Sequence, residues 1–211
     1  MKNTKIQGGK QEGIDSNKEF IALKQQELRL RLALKGANEG LWDWDLKTND
    51  VYYSPRWKSM LGYEEHELDQ HISTWQNLVH PDDKEETLQR VEDYISSKED
   101  SFEMEMRMRH KNGEYLFILS RAFCVSSVSN GKPHRLIGTH VDITQRKKAE
   151  EFNKRTAEIL EKIALGRPAA EIYDAIALMF EARHTGLRCS MLELENGVLL
   201  HGGAPSLPKE Y

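Results

Sequence analysis

This 211-residue sequence has little cysteine, no long apolar run and no excess of positive charge. Its two cysteines, Cys124 and Cys189, fall in different parts of the chain, which argues against a disulfide framework and indicates a reducing compartment. No apolar run reaches the length of a membrane span, and the N-terminus lacks the apolar core of a signal peptide. A net charge of -4 argues against a nucleic-acid partner, whose binding surfaces usually carry a basic stripe. We therefore predict a cytoplasmic protein without a membrane span.

The motifs of several enzyme classes are also missing. The glycine pairs Gly8-Gly9 and Gly202-Gly203 lack the Lys-Ser/Thr and the helix that complete a phosphate-binding loop. There is no Gly-x-Ser-x-Gly motif, and the histidines show no metal-binding spacing. His80 precedes Pro81-Asp82-Asp83, where the start of a helix is a simpler interpretation than a metal site. We predict no catalytic residue and no metal site.

What the sequence does contain is a run of antiparallel strand patterns. Within residues 101–110, four apolar side chains alternate with charged ones, which is typical of a strand with one buried face: Phe102, Met104, Met106 and Met108. Asn112-Gly113 and Asn130-Gly131 supply the positive φ of tight turns, and they lead into strands over residues 115–125 and 136–143. Two earlier strands are predicted over residues 41–46 and 51–54.

Long helices are predicted on both sides of these strands. Residues 1–15 are polar and are predicted to be disordered, and an amphipathic helix over residues 16–37 is predicted to begin at a capping box. Its apolar stripe consists of Phe20, Leu23, Leu30, Leu34 and Ala37. A linker helix over residues 145–165 carries a seam at spacings of three and four, formed by Ala149, Phe152, Thr156, Ile159 and Ile163. Together they predict a parallel homodimer through the flanking helices, although the first stripe would equally suit packing on its own domain.

Six segments occur in an order that resembles a PAS domain with its C-terminal PAC segment. They are residues 39–45, 53–57, 60–63, 79–83, 111–114 and 138–144, and they include Trp42-Asp-Trp44, His80-Pro-Asp-Asp83 and Asp142-Ile-Thr144. The resemblance covers residues 30–151 and implies an α+β fold, a five-stranded antiparallel sheet with helices on one face. Residues 156–211, with Gly166-Arg-Pro168, resemble the opening of a GAF domain, of which they would supply an incomplete α/β piece.

The resemblance implies a core that could hold a cofactor or a small ligand. The candidate pocket residues are Trp44, Tyr53, Trp57, Leu61, Trp75 and Phe117, and the alternative is that these side chains only fill the core. Because the sequence has no cysteine before Cys124, the cysteinyl adduct of light-sensing flavin PAS domains is excluded. The long helix that follows His80 contains no further histidine, which argues against haem. A flavin without an adduct, or another small organic ligand, stays open.

Asp142 and Thr144 are the candidate signal-coupling residues. In PAS proteins the matching residues hydrogen-bond where the last strand meets the exit helix, and here they could equally serve as a simple helix cap. PAS modules of this order often precede a cyclic-di-GMP synthase or phosphodiesterase, or a histidine kinase. We therefore predict a sensory module that binds a small ligand or partner and transmits the change through its exit helix. The alternatives are a fragment of such an enzyme, which lacks its output domain, and a ligand-free dimerisation domain.

Overall fold

The computed structural model describes residues 8–97, 99, 101–126, 133–184 and 186–208. The chain divides into two compact units, Met1–Thr144 and Gln145–Tyr211. The helices and strands that lie in the first unit are α1 (Gly8–Ala37), β1 (Gly40–Asp45), β2 (Val51–Tyr53), α2 (Pro55–Met60), α3 (Ile72–Leu78), α4 (Pro81–Ser96), β3 (Phe102–Arg109), β4 (Tyr115–Ser126) and β5 (Pro133–Asp142). They are followed by α5 (Thr144–Ala164), α6 (Ala169–Arg183), β6 (Met191–Glu195) and β7 (Val198–Gly203).

The first unit is built on a five-stranded sheet in the order β2-β1-β5-β4-β3, in which all neighbouring strands are antiparallel. The predicted α+β fold is therefore confirmed. One face of this sheet packs with side chains from the short helices into a single core. Its members include Trp42, Trp57, Leu61, Trp75, Val91, Tyr94, Phe102, Met106, Met108, Ile118 and Leu136.

The alternation predicted for β3 is present in the structure. Phe102, Met106 and Met108 are buried and Met104 is half-buried, while the glutamates between them are exposed. The turn between β3 and β4 has its positive φ at Gly113, where φ is 94°. The second predicted turn, Asn130-Gly131, lies outside the described residues.

Helix α1 differs from the sequence prediction in two ways. It begins at Gly8, so residues 8–15 are helical where disorder was predicted, and the predicted start at Ser16 lies inside the helix; residues 1–7 are outside the described part of the chain. It also has more than one apolar side. Phe20, Leu23 and Leu30 are exposed on the predicted stripe, and a second exposed stripe on another side consists of Ile21, Leu28 and Leu32. At 100° per residue the two stripes lie on nearly opposite sides, so the helix is not amphipathic in the predicted sense.

The second unit contains helices α5 and α6 and a two-stranded hairpin. The hairpin turns at Asn196-Gly197, where both residues have positive φ, 50° and 81°. The predicted seam of α5 contacts α6 of the same chain, because Thr156 Oγ1 lies 3.7 Å from Met179 Sδ and the Arg183 guanidinium lies over the Phe152 ring. Ile159, on the same seam, is 8% exposed. At least part of the seam is therefore used within the chain. In the part of the chain that the structure describes, no helix has both the length and the apolar character to cross a membrane.

Candidate functional site

A small cavity lies in the core of the first unit, against the inner face of the sheet. About 30 Å³ of it is open to water-sized molecules. It is lined by Trp42, Trp44, Val51, Tyr53, Ile72, Trp75, Val91, Phe102, Met104, Ser120, Leu136 and His140. These residues come from all five strands of the sheet and from helices α3 and α4, so the cavity exists only after the sheet and helices have packed.

A chain of hydrogen bonds runs beside this cavity. The indole Nε1 of Trp57 donates to Nδ1 of His140 at 2.9 Å, and Nε2 of His140 lies 3.1 Å from Oγ of Ser120. His140 is 3% exposed, and burial lowers its pKa to about 3, so the ring is neutral at physiological pH. Since an indole N–H can only donate, the proton of the neutral ring must be on Nε2, which donates to Ser120.

Two glycines make room at this site, one for the Trp42 ring and one for the backbone of Trp57. A Cβ placed on Gly138 would lie 2.5 Å from Cζ2 of Trp42, and one on Gly40 would lie 2.6 Å from Cα of Trp57. Both distances are shorter than any normal carbon contact, so a side chain at either position would displace the ring or the helix that it faces. The Tyr53 ring stacks on Trp57 with centroids 4.0 Å apart, which fixes the Trp57 ring beside His140.

Two buried donors of the core have no partner within the described residues. They are the indole Nε1 atoms of Trp42 and Trp75, whose side chains are 8% and 7% exposed. The other two indoles are paired, because Trp44 donates to Asn49 at 3.3 Å and Trp57 donates to His140. Buried polar groups are nearly always hydrogen-bonded, so these two indole groups are exceptions in the core.

The predicted pocket residues divide into three groups. Trp44, Tyr53 and Trp75 line the cavity. Trp57 and Leu61 are fully buried in the same core but do not line it. Phe117 must be corrected: it lies on β4 next to the inward-facing Ile118, so it points to the other face of the sheet, where it is 37% exposed.

Sequence reasoning missed Trp42, Ser120 and His140 as pocket residues. One available signal was the two-residue alternation along β5. Because His140 lies four positions after the buried Leu136, both side chains face the same side of the sheet. Parity alone does not distinguish an inner from an outer face in a strand with apolar residues on both sides.

A flavin or a haem does not fit this cavity as it is packed. Drug-sized and cofactor sites occupy about 300–1,000 Å³, which is far more than the volume found here. The aromatic side chains proposed to hold a flat cofactor instead stack on one another, as the Tyr53–Trp57 pair does.

The junction between β5 and the exit helix α5 is held by three hydrogen bonds. Oδ1 of Asp142 accepts from the backbone N–H of Thr144 at 2.8 Å, which caps the helix. Oγ1 of Thr144 in turn accepts from the backbone N–H of Phe117 at 3.0 Å. The N–H of Ile143 donates to the carbonyl of Phe117 at 2.9 Å. Thr144, the first residue of α5, and Ile143 before it thereby bind the two backbone groups of Phe117 on strand β4.

His80 acts as the helix start that the sequence analysis favoured. Its Nδ1 accepts from the N–H of Asp82 at 3.1 Å. The neighbouring Asp83 accepts from the backbone N–H of Arg107 at 2.9 Å and from its guanidinium, and these hydrogen bonds hold the pKa of Asp83 below its usual value. Within the described residues no group of three or more His, Cys, Asp and Glu side chains could hold a metal ion.

Comparison with known proteins identifies the fold family of this site. The family described as "PAS fold" matches residues 50–140. A crystal structure of a sensory box histidine kinase/response regulator from Burkholderia thailandensis is 34% identical, with a TM-score of 0.55, and the match covers 64% of this chain and 98% of that one. This chain belongs to the PAS family. Its PAS domain is a sensory domain of signal transduction, related to those of sensor kinases and diguanylate cyclases.

Two curated relatives are similar over most of the chain. The methyl sulfide methyltransferase-associated sensor of Methanosarcina acetivorans is 31% identical over 155 residues, which are 72% of this chain and 15% of the relative. The probable diguanylate cyclase DgcE of Escherichia coli is 32% identical over 141 residues, which are 67% of this chain and 11% of the relative. The chain thus spans a small fraction of both proteins. The comparisons do not support the GAF resemblance of residues 156–211, which stays a prediction.

Proposed function

We propose that this PAS domain binds a small molecule in its core cavity and transmits the change through α5. The observation that carries the proposal is that cavity and junction share the same two strands. Ser120 and His140 are cross-strand partners of β4 and β5, and the next pair facing the same side is Ile118 with Asp142. Two residues along a strand span about 7 Å. A shift of the Ser120–His140 pair therefore reaches the junction through two rigid backbone segments.

The coupling step would act on the hydrogen bonds of Phe117. This residue lies three positions before Ser120 on β4 and holds Thr144 and Ile143 of the junction. A displacement of β4 along its own axis would lengthen or shorten both bonds together. The start of α5 would respond because Thr144 is its first residue.

The test changes a core residue by mutation and measures the hydrogen exchange of backbone amides at the junction between β5 and α5. In Ser120→Ala, we expect the backbone amides of Phe117 and Thr144 to change their hydrogen-exchange protection. The matched control is Ser126→Ala, at the other end of the same strand, which should leave both amides unchanged. Unaltered protection in Ser120→Ala would remove the proposed coupling.

A second variant separates coupling from simple capping. If Asp142 transmits the change, the effect of Ser120→Ala on the Phe117 amide should disappear in the double variant with Asp142→Ala. If Asp142 is only a cap, the two effects should add, because independent sites are additive.

Two wider proposals concern assembly and output. The exposed stripes of α1 favour a homodimer through this helix, whereas part of the α5 seam already contacts α6. Leu23→Glu together with Leu30→Glu should then lower the mass seen in sedimentation at micromolar concentration, and a monomeric unmutated chain would contradict the dimer.

The relationship to DgcE and to sensor kinases supports a parent protein with a cyclic-di-GMP or histidine kinase output. Sequencing the reading frame that encodes the chain tests this.

A further inference from the structure

We propose that the core cavity takes an uncharged, apolar diatomic molecule, such as dioxygen, in preference to water. The inference rests on the proposed function, because it names the chemical class of ligand for the same cavity. It starts from the volume that is open to water-sized molecules, which is about 30 Å³. One water molecule needs about 10–15 Å³ by the same measure. The space therefore suits a molecule of two heavy atoms.

The walls of the cavity are mostly apolar. Val51, Ile72, Val91 and Leu136 contribute aliphatic side chains, and Phe102 contributes its ring. Each of these five residues is at most 8% exposed. A gap of atomic size leaves such side chains without van der Waals partners on one side. An apolar molecule that matches the gap restores those contacts and has no hydrogen bonds to lose.

The polar groups of the lining offer little to a water molecule. The indole nitrogens of Trp42 and Trp75 are closed to a water-sized molecule. His140 uses both of its ring nitrogens, one with Trp57 and one with Ser120. The hydroxyl proton of Ser120 is therefore one free donor, whereas a buried water usually has about two to four polar partners.

The other polar side chains of the lining are paired, and no charge faces the cavity. The Tyr53 hydroxyl donates to the carbonyl of His71 at 3.2 Å, and Trp44 donates to Asn49 at 3.3 Å. None of the described lining residues is Lys, Arg, Asp or Glu, and burial keeps His140 neutral by lowering its pKa to about 3. An ion placed here would lose its hydration without gaining a partner of opposite charge, which is strongly unfavourable.

The small size of the ligand limits its affinity. Two heavy atoms support a Kd on the order of several millimolar at best. Because the walls select by size and polarity, dinitrogen should compete with dioxygen for the site. Benzene should not enter, since a cavity known to hold it measures about 150 Å³.

The experiment uses dioxygen as a paramagnetic probe of protein with ¹³C-labelled methyl groups. Under dioxygen pressure, we expect severalfold larger enhancement of methyl proton relaxation at Val51, Ile72 and Leu136 than at Leu61 and Ile118. These two reference residues are 0% exposed but do not line the cavity, so the difference does not report on burial alone. The same pressure of dinitrogen gives the diamagnetic baseline, and dinitrogen added to dioxygen should lower the enhancement.

Variants change the volume of the cavity by one methyl group. Val91→Ile should fill it and reduce the enhancement at Val51 and Leu136 to that of the reference methyls. Ile72→Val should enlarge it and raise the enhancement, and this variant does not depend on the folding of the filled one. Val141→Ile is the matched control, because Val141 pairs with Leu119 on the other face of the sheet, and it should change nothing.

Three results would overturn the inference. They are equal enhancement at the cavity and reference methyls, magnetisation transfer from water to the cavity methyls that dioxygen does not reduce, and an enhancement that neither Val91→Ile nor Ile72→Val alters. None of these results affects the junction experiment on Ser120→Ala, which uses no ligand. Failure of the ligand class is therefore distinguishable from failure of the proposed coupling.

Discussion

The two hairpins β3–β4 and β6–β7 have similar turns but very different surroundings. Each turns at an Asn-Gly pair, and each alternates apolar with charged residues in its first strand. In the first hairpin Phe102 and Met106 are each 3% exposed, whereas Leu192 and Leu194 of the second are 51% and 70% exposed. The first hairpin pairs with β5 and packs against α4, whereas the second is a two-stranded sheet that packs against α6. The local sequence pattern specifies a hairpin, whereas the elements packed against the hairpin determine how stable it is.

The largest expected difference between the two hairpins is in hydrogen exchange. We expect the amides of Leu192 and Leu194 to exchange at least about a hundredfold faster than those of Leu119 and Arg121, because exposed hairpins open locally without global unfolding. Two-dimensional NMR after transfer to D₂O measures this. Equal protection in a monomeric sample would show that the second unit is a stable domain in its own right.

Side-chain truncation should separate the hairpins next. Ile118 is 0% exposed, so Ile118→Ala should lower the free energy of unfolding by about 2–5 kcal/mol. Leu194→Ala should change it by less than about 0.5 kcal/mol, as is usual for exposed sites. Urea unfolding followed by far-ultraviolet circular dichroism reports on both units. A loss of several kcal/mol at Leu194 would mean that its side chain is buried in solution.

His140 on β5, the strand that pairs with the first hairpin, and His201 on β7 of the second hairpin give a third, pH-dependent contrast. The folded-state pKa of His140 is lowered to about 3, below the unfolded value near 6.5, so the unfolded chain binds the extra proton between these values. Stability should therefore fall as pH falls from about 6.5 towards 3, by about 1.4 kcal/mol per pH unit from this residue. His140→Asn should flatten the slope between pH 4 and pH 6. His201→Asn, on the exposed strand β7, should leave it unchanged; equal slopes in all three proteins would refute the assignment.

The smallest effect is expected at the junction. Thr144→Val keeps the shape of the side chain but removes the acceptor for the Phe117 amide. We expect that amide to exchange roughly two- to tenfold faster, the value of one hydrogen bond. The control is Thr156→Val, because the Thr156 hydroxyl donates to the carbonyl of Phe152 within α5. A similar acceleration in both variants would mean that the effect is not specific to the junction.

The outcome at individual residues shows what a single sequence can predict about the candidate site. Asp142 and Thr144 were correctly placed at the start of α5, because capping depends on residues only two positions apart. Phe117 was assigned to the wrong face of the sheet, because β4 carries apolar side chains on both faces. Only the pairing of β4 with β5 decides which of these faces is the inner one. The α1 stripe was predicted from one side of the helix, and the second stripe of Ile21, Leu28 and Leu32 was overlooked.

The sequence by itself determined the strands of the five-stranded sheet, the turn at Gly113, the helix start at Pro81 and the PAS resemblance. These depend on period-two patterns, positive φ and capping, all of which act within a few residues. The tertiary structure alone decided the cavity and its chemistry. Trp57 and His140 are 83 positions apart, and His140 and Ser120 are 20 apart, yet they form one hydrogen-bonded chain. Such contacts depend on strand order and register, and those are settled only when the whole sheet packs against its helices.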